Sequence, residues 1–290
     1  MWRHILFIIV FLIVLVFSGG PAFAESPSSD HAGDHFADIA DVTMVVNHGL
    51  IDDPCVSDDM VYIPTGVFAM GDHHGDGYPD ETPLHMVLLD SFLISRYEIT
   101  NQQYCDYLNS GYPAQLKVAG GIVYAASDTS NRYPYCDTHR YDADSQIDFG
   151  GLDFRVRTNG GRDMSDDPMV MVSWYGAVAY CNGRSKREGY EACYDLATWE
   201  CGFSKRGYRL ATEAEWECAA RGGEQSPYYR FPWGDTISHS QANYCASPSR
   251  ATLCPSPGSV NYYAMASSYS YDVSLTAGYH PDWYDGIPPY

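Results

Sequence analysis

Most of this chain lacks the periodicity that a long helix or a regular sheet needs. Segments 111–168 and 222–290 are rich in Gly, Tyr, Asp, Ser and Pro, and neither the helical nor the alternating apolar repeat runs through them. Long irregular stretches ordinarily weigh against a packed domain. Here 25 Tyr and 6 Trp are available to fill a core between them. Packed on these rings the long loops can still be ordered, and no internal repeat and no linker divides the chain.

Three helices can be placed. Thr100-x-x-Gln103 has the form of a capping box and leads into Tyr104, Tyr107 and Leu108 at helical spacing. Ser173 can cap a helix whose apolar face is Trp174, Ala177, Val178 and Cys181. Thr212-x-x-Glu215 is a second capping box, opening a helix with Trp216 and Ala219. Met60-Val61-Tyr62-Ile63-Pro64 and Val67-Phe68-Ala69-Met70 read as two short strands around a turn at Thr65-Gly66. Leu84 to Leu89, with Phe92-Leu93-Ile94, reads as a further strand pair.

The N-terminus speaks to the compartment. Arg3 and His4 precede an apolar run from Ile5 to Phe17, and Ala22-Phe23-Ala24 has the small-x-small pattern of a cleavage site. Residues 1–24 are therefore expected to be a signal peptide, and the chain to be secreted or periplasmic; the alternative is an uncleaved run that tethers it. The run is short for a bilayer span, and after cleavage no lipid membrane binding is expected, because anionic lipid needs a basic face that this acidic chain lacks. Residues 25–57, small and polar, are expected to form a flexible lead-in, and 58–290 the domain. A net charge of −20 argues against nucleic acid as a partner, which needs a basic face.

Nine cysteines in an exported chain point to disulfides, and no C-x-x-C pair occurs to support a zinc knuckle or thioredoxin-type site. The count is odd, so at least one thiol lacks a partner within the chain. Cys193 and Cys201 are eight residues apart and Cys245 and Cys254 nine, so each pair could close a local loop; spacing alone does not decide connectivity. Cys105 and Cys136 read as disulfide-bonded or packed thiols before they read as nucleophiles. The loop Asp72-His73-His74-Gly75-Asp76-Gly77 lacks the ligand order of an EF-hand, and its histidines read as solvated; His85 reads as structural. No P-loop, dinucleotide fingerprint or Gly-x-Ser-x-Gly is present.

One ordered series of motifs goes further. Met60-Val61-Tyr62-Ile63-Pro64-x-Gly66-x-Phe68-x-Met70-Gly71 is followed by Glu81-Thr82-Pro83-x-His85, then by Ser91-Phe92-Leu93-Ile94-Ser95-Arg96-Tyr97-Glu98-Ile99-Thr100-Asn101-x-x-Tyr104. Pro168-Met169-Val170-Met171-Val172-Ser173-Trp174-Tyr175-x-Ala177-x-Ala179-Tyr180-Cys181 comes next. Gly207-Tyr208-Arg209-Leu210-Ala211-Thr212-Glu213-Ala214-Glu215-Trp216-Glu217, Ala220-Arg221-Gly222-Gly223 and Phe231-Pro232-Trp233-Gly234 complete the series. It resembles the formylglycine-generating enzyme, or sulfatase-modifying factor, family. Ala211 departs from the pattern, standing where many members have proline.

The resemblance implies a compact, loop-rich α+β fold related to C-type lectins, and an activity that oxidises a client cysteine, as in a sulfatase, to formylglycine with oxygen and copper(I) held by two thiolates. The family's Gly-Asn-x-Trp-Glu-Trp block and its Arg-Gly-Gly-Ser block with the copper-binding cysteines do not occur before Tyr290. The resemblance thus implies a fold incomplete at the C-terminus, a fragment of a longer product, with a natural short form as the alternative. No catalytic residue is assigned within the chain. Cys181 and Cys218 match family cysteines that bridge to C-terminal partners. By position, family calcium ligands fall on Asn243, Tyr244, Asp285 and Ile287, mixed oxygen donors suited to a hard cation; Asn243 and Asp285 also read as turn residues. The iron branch of related proteins is not expected, because its His-x-x-x-His-x-Glu pattern is missing. The alternative function is a non-catalytic lectin-like module that binds a peptide or glycan.

Overall fold

The three capping signals become three helices. In the computed structural model, which describes residues 44–47, 59–75, 79–142, 144–223 and 228–238, α1 spans Asn101–Gly111, α2 Trp174–Arg187 and α3 Glu213–Ala220. Thr100 Oγ1 accepts from Gln103 N at 3.2 Å while Gln103 Oε1 accepts from Thr100 N at 3.0 Å, so two orphan amides are satisfied reciprocally. Thr212 and Glu215 repeat this at α3, and Ser173 Oγ takes Gly176 N at α2.

Thirteen short strands are present among the described residues. They are β1 (Met44–Asn47), β2 (Met60–Ile63), β3 (Gly66–Met70), β4 (His85–Leu89), β5 (Phe92–Ser95), β6 (Leu116–Ala119) and β7 (Ile122–Ala125), followed by β8 (Pro134–Asp137), β9 (Ile147–Phe149), β10 (Phe154–Val156), β11 (Thr158–Asn159), β12 (Arg162–Asp163) and β13 (Tyr208–Leu210).

The runs at 60–70 and 84–94 are strands as expected, but their pairing corrects the expectation. β4 and β5 do not pair with each other, and Thr65-Gly66 does not turn β3 back on β2. Instead β2 pairs with β5, from Met60↔Ser95 to Ile63↔Phe92, and β3 with β4, from Gly66↔Leu89 to Met70↔His85. The register carries through both pairs, so this is one long antiparallel hairpin interrupted at Pro64. Proline has no N–H to give the ladder, and the Thr65 hydroxyl donates to the Leu89 carbonyl beside the gap at 2.9 Å.

A second correction concerns the lead-in. Residues 44–47, expected to be flexible, form β1, which lies between β5 and β13 in the four-stranded sheet β13-β1-β5-β2. Met-Val-Val is too short an apolar run to stand out from polar surroundings, but two flanking strands offer it both hydrogen-bonding edges. Met44 and Val45 are fully buried there.

Segment 111–168 is also more regular than its periodicity implies. β6 and β7 are joined through Gly120-Gly121, with φ of +66° and +99°, and β11 and β12 through Gly160-Gly161, with φ of +57° and +87°. Two consecutive left-handed residues make the tight turn that matches strand twist. β8 completes the three-stranded sheet β6-β7-β8, and β9 pairs with β10.

The core is built on tyrosine. Tyr104 on α1 and Tyr180 on α2 are buried and stacked at 5.5 Å, with Tyr107 edge-on to both. α2 sits directly on β8. A Cβ at Gly176 would fall 2.0 Å from the Tyr135 carbonyl oxygen, so only glycine lets the helix approach. Arg184, buried on the same helix, reaches Asp59 at 3.1 Å and Glu188 at 3.0 Å, tying α2 to the start of β2. Among the described residues no helix is long and apolar enough to cross a membrane.

Candidate functional site

The motif blocks that are far apart in sequence meet in space, and their charged residues are joints. The Glu217 carboxylate on α3 accepts from Gly71 N at the end of β3 (2.9 Å) and from Arg221 Nε (2.8 Å), and Arg221 Nη2 donates back to the Gly71 carbonyl (2.9 Å). Arg221 also lies 5.3 Å over the Tyr228 ring, whose hydroxyl accepts from Ala69 N. A second joint pins α3 to β13: Arg209 and Glu215 form a two-pronged buried ion pair at 2.7 and 2.5 Å. Burial alone would raise the Glu215 pKa. The Arg209 hydrogen bonds and charge, with the Thr212 N–H, outweigh it and hold the carboxyl below its ordinary value.

Of the residues predicted to bind a metal, Asn243, Tyr244, Asp285 and Ile287 lie outside the described residues. In the acidic loop, Asp72 Oδ1 accepts from His74 N and Gly75 N, a side chain closing its own turn. His73 stacks on Tyr228 at 3.9 Å with its Nε2 2.8 Å from the Ala69 carbonyl; Asp76 and Gly77 lie outside the described residues. His85 begins β4, its Nδ1 3.0 Å from the Pro83 carbonyl. No group of three or more His, Cys, Asp or Glu side chains arranged to hold a metal occurs among the described residues.

Six cysteines are described; Cys105, Cys136 and Cys181 are thiols, and so are Cys193 and Cys201, which do not bridge to each other as expected. Cys55, Cys245 and Cys254 lie outside the described residues. Burial, with the Asp106 charge, pushes the Cys105 thiol up to about 11. Burial likewise raises Cys136, Cys181, Cys193 (to about 11) and Cys201. A copper(I) centre needs thiolates grouped around an open position; these cysteines instead pack against the core, and none is one that the resemblance assigns to copper. Cys105 and Cys136 are core-filling thiols and not nucleophiles.

What the sequence did not reveal is an aromatic surface built from three elements. Tyr133 before β8, Trp174 and Tyr175 opening α2, and Trp199 from the segment between α2 and β13 lie with ring centroids 4.6–6.1 Å apart. Trp174, expected on the apolar face of α2, is 37 % exposed, while Ala177, Val178 and Cys181 are buried as expected. Trp199 is placed by a tight loop in which Asp195 Oδ1 accepts from Ala197 N and Thr198 N, and the Asp195 carbonyl accepts from Trp199 N at 2.6 Å. Its backbone is left-handed at φ +65°, an unfavourable state for a bulky residue. The indole Nε1 is sealed from solvent with no hydrogen-bond partner. Arg132 stacks on Tyr133 at 5.2 Å. Rings at this spacing pack against one another and leave no cage between them, so any partner stacks on their outer face. The sequence signal was confined to Trp174-Tyr175 inside the strongest motif block; Tyr133 and Trp199 lie outside that block, one on either side.

The sequence pattern of the sulfatase-modifying factor enzyme 1-like domain matches residues 49–271, which is most of the chain. The chain belongs to this family. Similar proteins include a formylglycine-generating enzyme of Thermomonospora curvata, 31 % identical over 196 residues, covering 66 % of this chain and 57 % of that protein. The formylglycine-generating enzyme of Mus musculus is 30 % identical over 200 residues, covering 66 % of this chain and 46 % of its own. The serine/threonine-protein kinase Pkn1 of Chlamydia trachomatis is 27 % identical over 237 residues, 77 % of this chain but 30 % of the kinase. The chain thus spans about half the length of the formylglycine-generating enzymes it matches. Its mixed short strands and helices agree with an α+β sulfatase-modifying-factor-like fold, and the joints at Glu217 and Arg209 give the family's charged motif residues a structural role.

Proposed function

We propose that this domain binds a cysteine-bearing client polypeptide such as a sulfatase, and that the full-length protein converts that cysteine to formylglycine. The observation that carries this reading is the likeness to enzymes named for that product in both bacteria and a mammal, through motif blocks that share one core here. The aromatic surface at Trp174, Tyr175 and Trp199 is where an extended polypeptide would lie, since aromatic faces bind such segments with little entropy to lose. Export through residues 1–24 and a calcium ion on Asn243, Tyr244, Asp285 and Ile287 belong to the same proposal. No step through copper is derived, because the cysteines that the resemblance assigns to copper are not among the described residues.

The second reading is a non-catalytic lectin-like module for a peptide or glycan. It is favoured by the match to Pkn1, in which the matching region is a minor part of a protein named for a different activity. One experiment separates them. A cysteine-containing sulfatase peptide is incubated with the protein, copper(I) and oxygen, and aldehyde is captured with an aminooxy probe. Aldehyde supports the enzyme; peptide or glycan binding without aldehyde, weakened about tenfold or more by Trp199→Ala, supports the module. Neither outcome refutes both.

A further inference from the structure

Three cysteines surround the junction of α2 with the segment that leads to β13, and the backbone decides how they pair. Cys181 and Cys193 are both completely buried and belong to one core cluster; Cys201 is partly exposed at its margin. Asn182, next to Cys181, holds both backbone groups of Tyr194, next to Cys193: its Nδ2 donates to the Tyr194 carbonyl at 2.8 Å and its Oδ1 accepts from Tyr194 N at 3.0 Å. On the far side, Ser185 Oγ donates to the Cys181 carbonyl and accepts from Tyr208 N. Cys181 and Cys193 thus each sit one residue before the clamped pair Asn182 and Tyr194, within the same buried cluster.

Cys201 is differently placed. Gly202 N donates to the Cys193 carbonyl at 2.8 Å and Asp195 N to the Glu200 carbonyl at 3.0 Å, so Tyr194 stands directly opposite Cys201 and Cys193 opposite Gly202. Side chains alternate along each strand of such a ribbon. Cys193 and Cys201 therefore point to opposite faces, although only eight residues separate them. Cys193 acts on Cys181 and Cys201 acts on Cys193, so all three thiols share one neighbourhood, and the alternation of the ribbon is what separates the pairings.

The geometry points to Cys181 and Cys193 as a disulfide pair, with Cys201 left as a thiol. The two thiols lose two protons and two electrons; the disulfide of an oxidising thiol–disulfide partner takes them up and leaves as two thiols, with one S–S bond broken and one made. Because both sulfurs are sealed in the finished fold, the exchange takes place while segment 188–207 is docking onto α2. This pairing departs from the C-terminal partner that the family resemblance implies for Cys181, and it does not depend on the proposed activity.

The test is a peptide map of the full chain exported into an oxidising compartment, denatured with N-ethylmaleimide to block free thiols. Trypsin, cutting at Arg184, Lys186, Arg187 and Lys205, puts Cys181 in peptide 163–184 and Cys193 with Cys201 in peptide 188–205. Chymotrypsin then cuts at Tyr194 and Trp199 between the last two. The expected result is 163–184 linked through Cys193, with maleimide on Cys201. The link should persist in Cys201→Ser, and Cys181 should become fully labelled in Cys193→Ser. An internal Cys193–Cys201 bridge, Cys181 linked to any other cysteine, maleimide on all three, or loss of the link in Cys201→Ser would each overturn the proposal.

Discussion

Removing the Glu215 carboxylate should be among the most damaging single changes available on α3. In Glu215→Ala, the Arg209 guanidinium loses both hydrogen bonds to the carboxylate, keeping its bond to the Leu210 carbonyl, while its side chain is only 5 % exposed, and Thr212 N loses its acceptor. Breaking a buried ion pair from one side costs about 3–5 kcal/mol, and the lost capping bond adds about 1 kcal/mol. The sum is about 5 kcal/mol, a large share of the 5–15 kcal/mol that holds a typical domain folded. For a chain of this size it should lower the urea midpoint by about 2 M. The double variant Arg209→Met/Glu215→Leu removes both charges and should recover most of that loss, because apolar side chains of similar volume replace such pairs at little net cost.

The pH dependence has a fixed sign. Glu215 has a lowered pKa in the fold, so its contribution is complete above the unfolded value of about 4.3 and is lost as pH falls through the lower folded value. Arg209 stays charged throughout and adds no slope. The unaltered protein should lose stability more steeply than Glu215→Ala below about pH 4. Urea titrations at pH 7 and across the acid range measure both effects. A single-variant shift under about 0.3 M, or a double variant that loses the sum of the two singles, would refute the account.

Two further outcomes follow from the same structure. Gly176→Ala would put a Cβ 2.0 Å from the Tyr135 carbonyl oxygen and 2.7 Å from the Tyr104 hydroxyl, so α2 must lift from β8 at a cost of about 3 kcal/mol or more; an unchanged circular-dichroism melt would contradict the close approach. On the calcium proposal, a chelator should lower the melting midpoint in the native protein and not in Asn243→Ala/Asp285→Ala, since a ligand that binds only the folded state stabilises it by mass action; equal response in both would remove those residues as ligands.

Local rules carried the helices. Each was announced by a hydroxyl residue at the N-cap, two of them with a reciprocal Gln or Glu three residues on, and such contacts need no other part of the chain. Gly120-Gly121 and Gly160-Gly161 are equally local signals for hairpins, masked in the sequence because their short flanking strands show no clear alternation. Pairing was another matter. Pro64 and Thr65-Gly66 look like the end of a hairpin when read alone, and only the continued register with 85–95 makes them an interruption in one ribbon.

The candidate site divides along the same line. Membership of the sulfatase-modifying factor enzyme 1-like family was legible, because its motif residues keep their order along the chain. What they do was not: Glu217 and Arg221 close around Gly71, about 150 positions away, a contact that no spacing rule anticipates. Trp199 joins Trp174 and Tyr175 only because Asp195 turns its loop back toward α2. By itself the sequence determined the capped helices, the tyrosine-rich composition of the core and the family, since propensity, capping and motif order act within a few residues. The tertiary structure alone decided strand partners, the burial of thiols and charges, and which aromatics share a surface, since these depend on contacts between residues far apart in the chain.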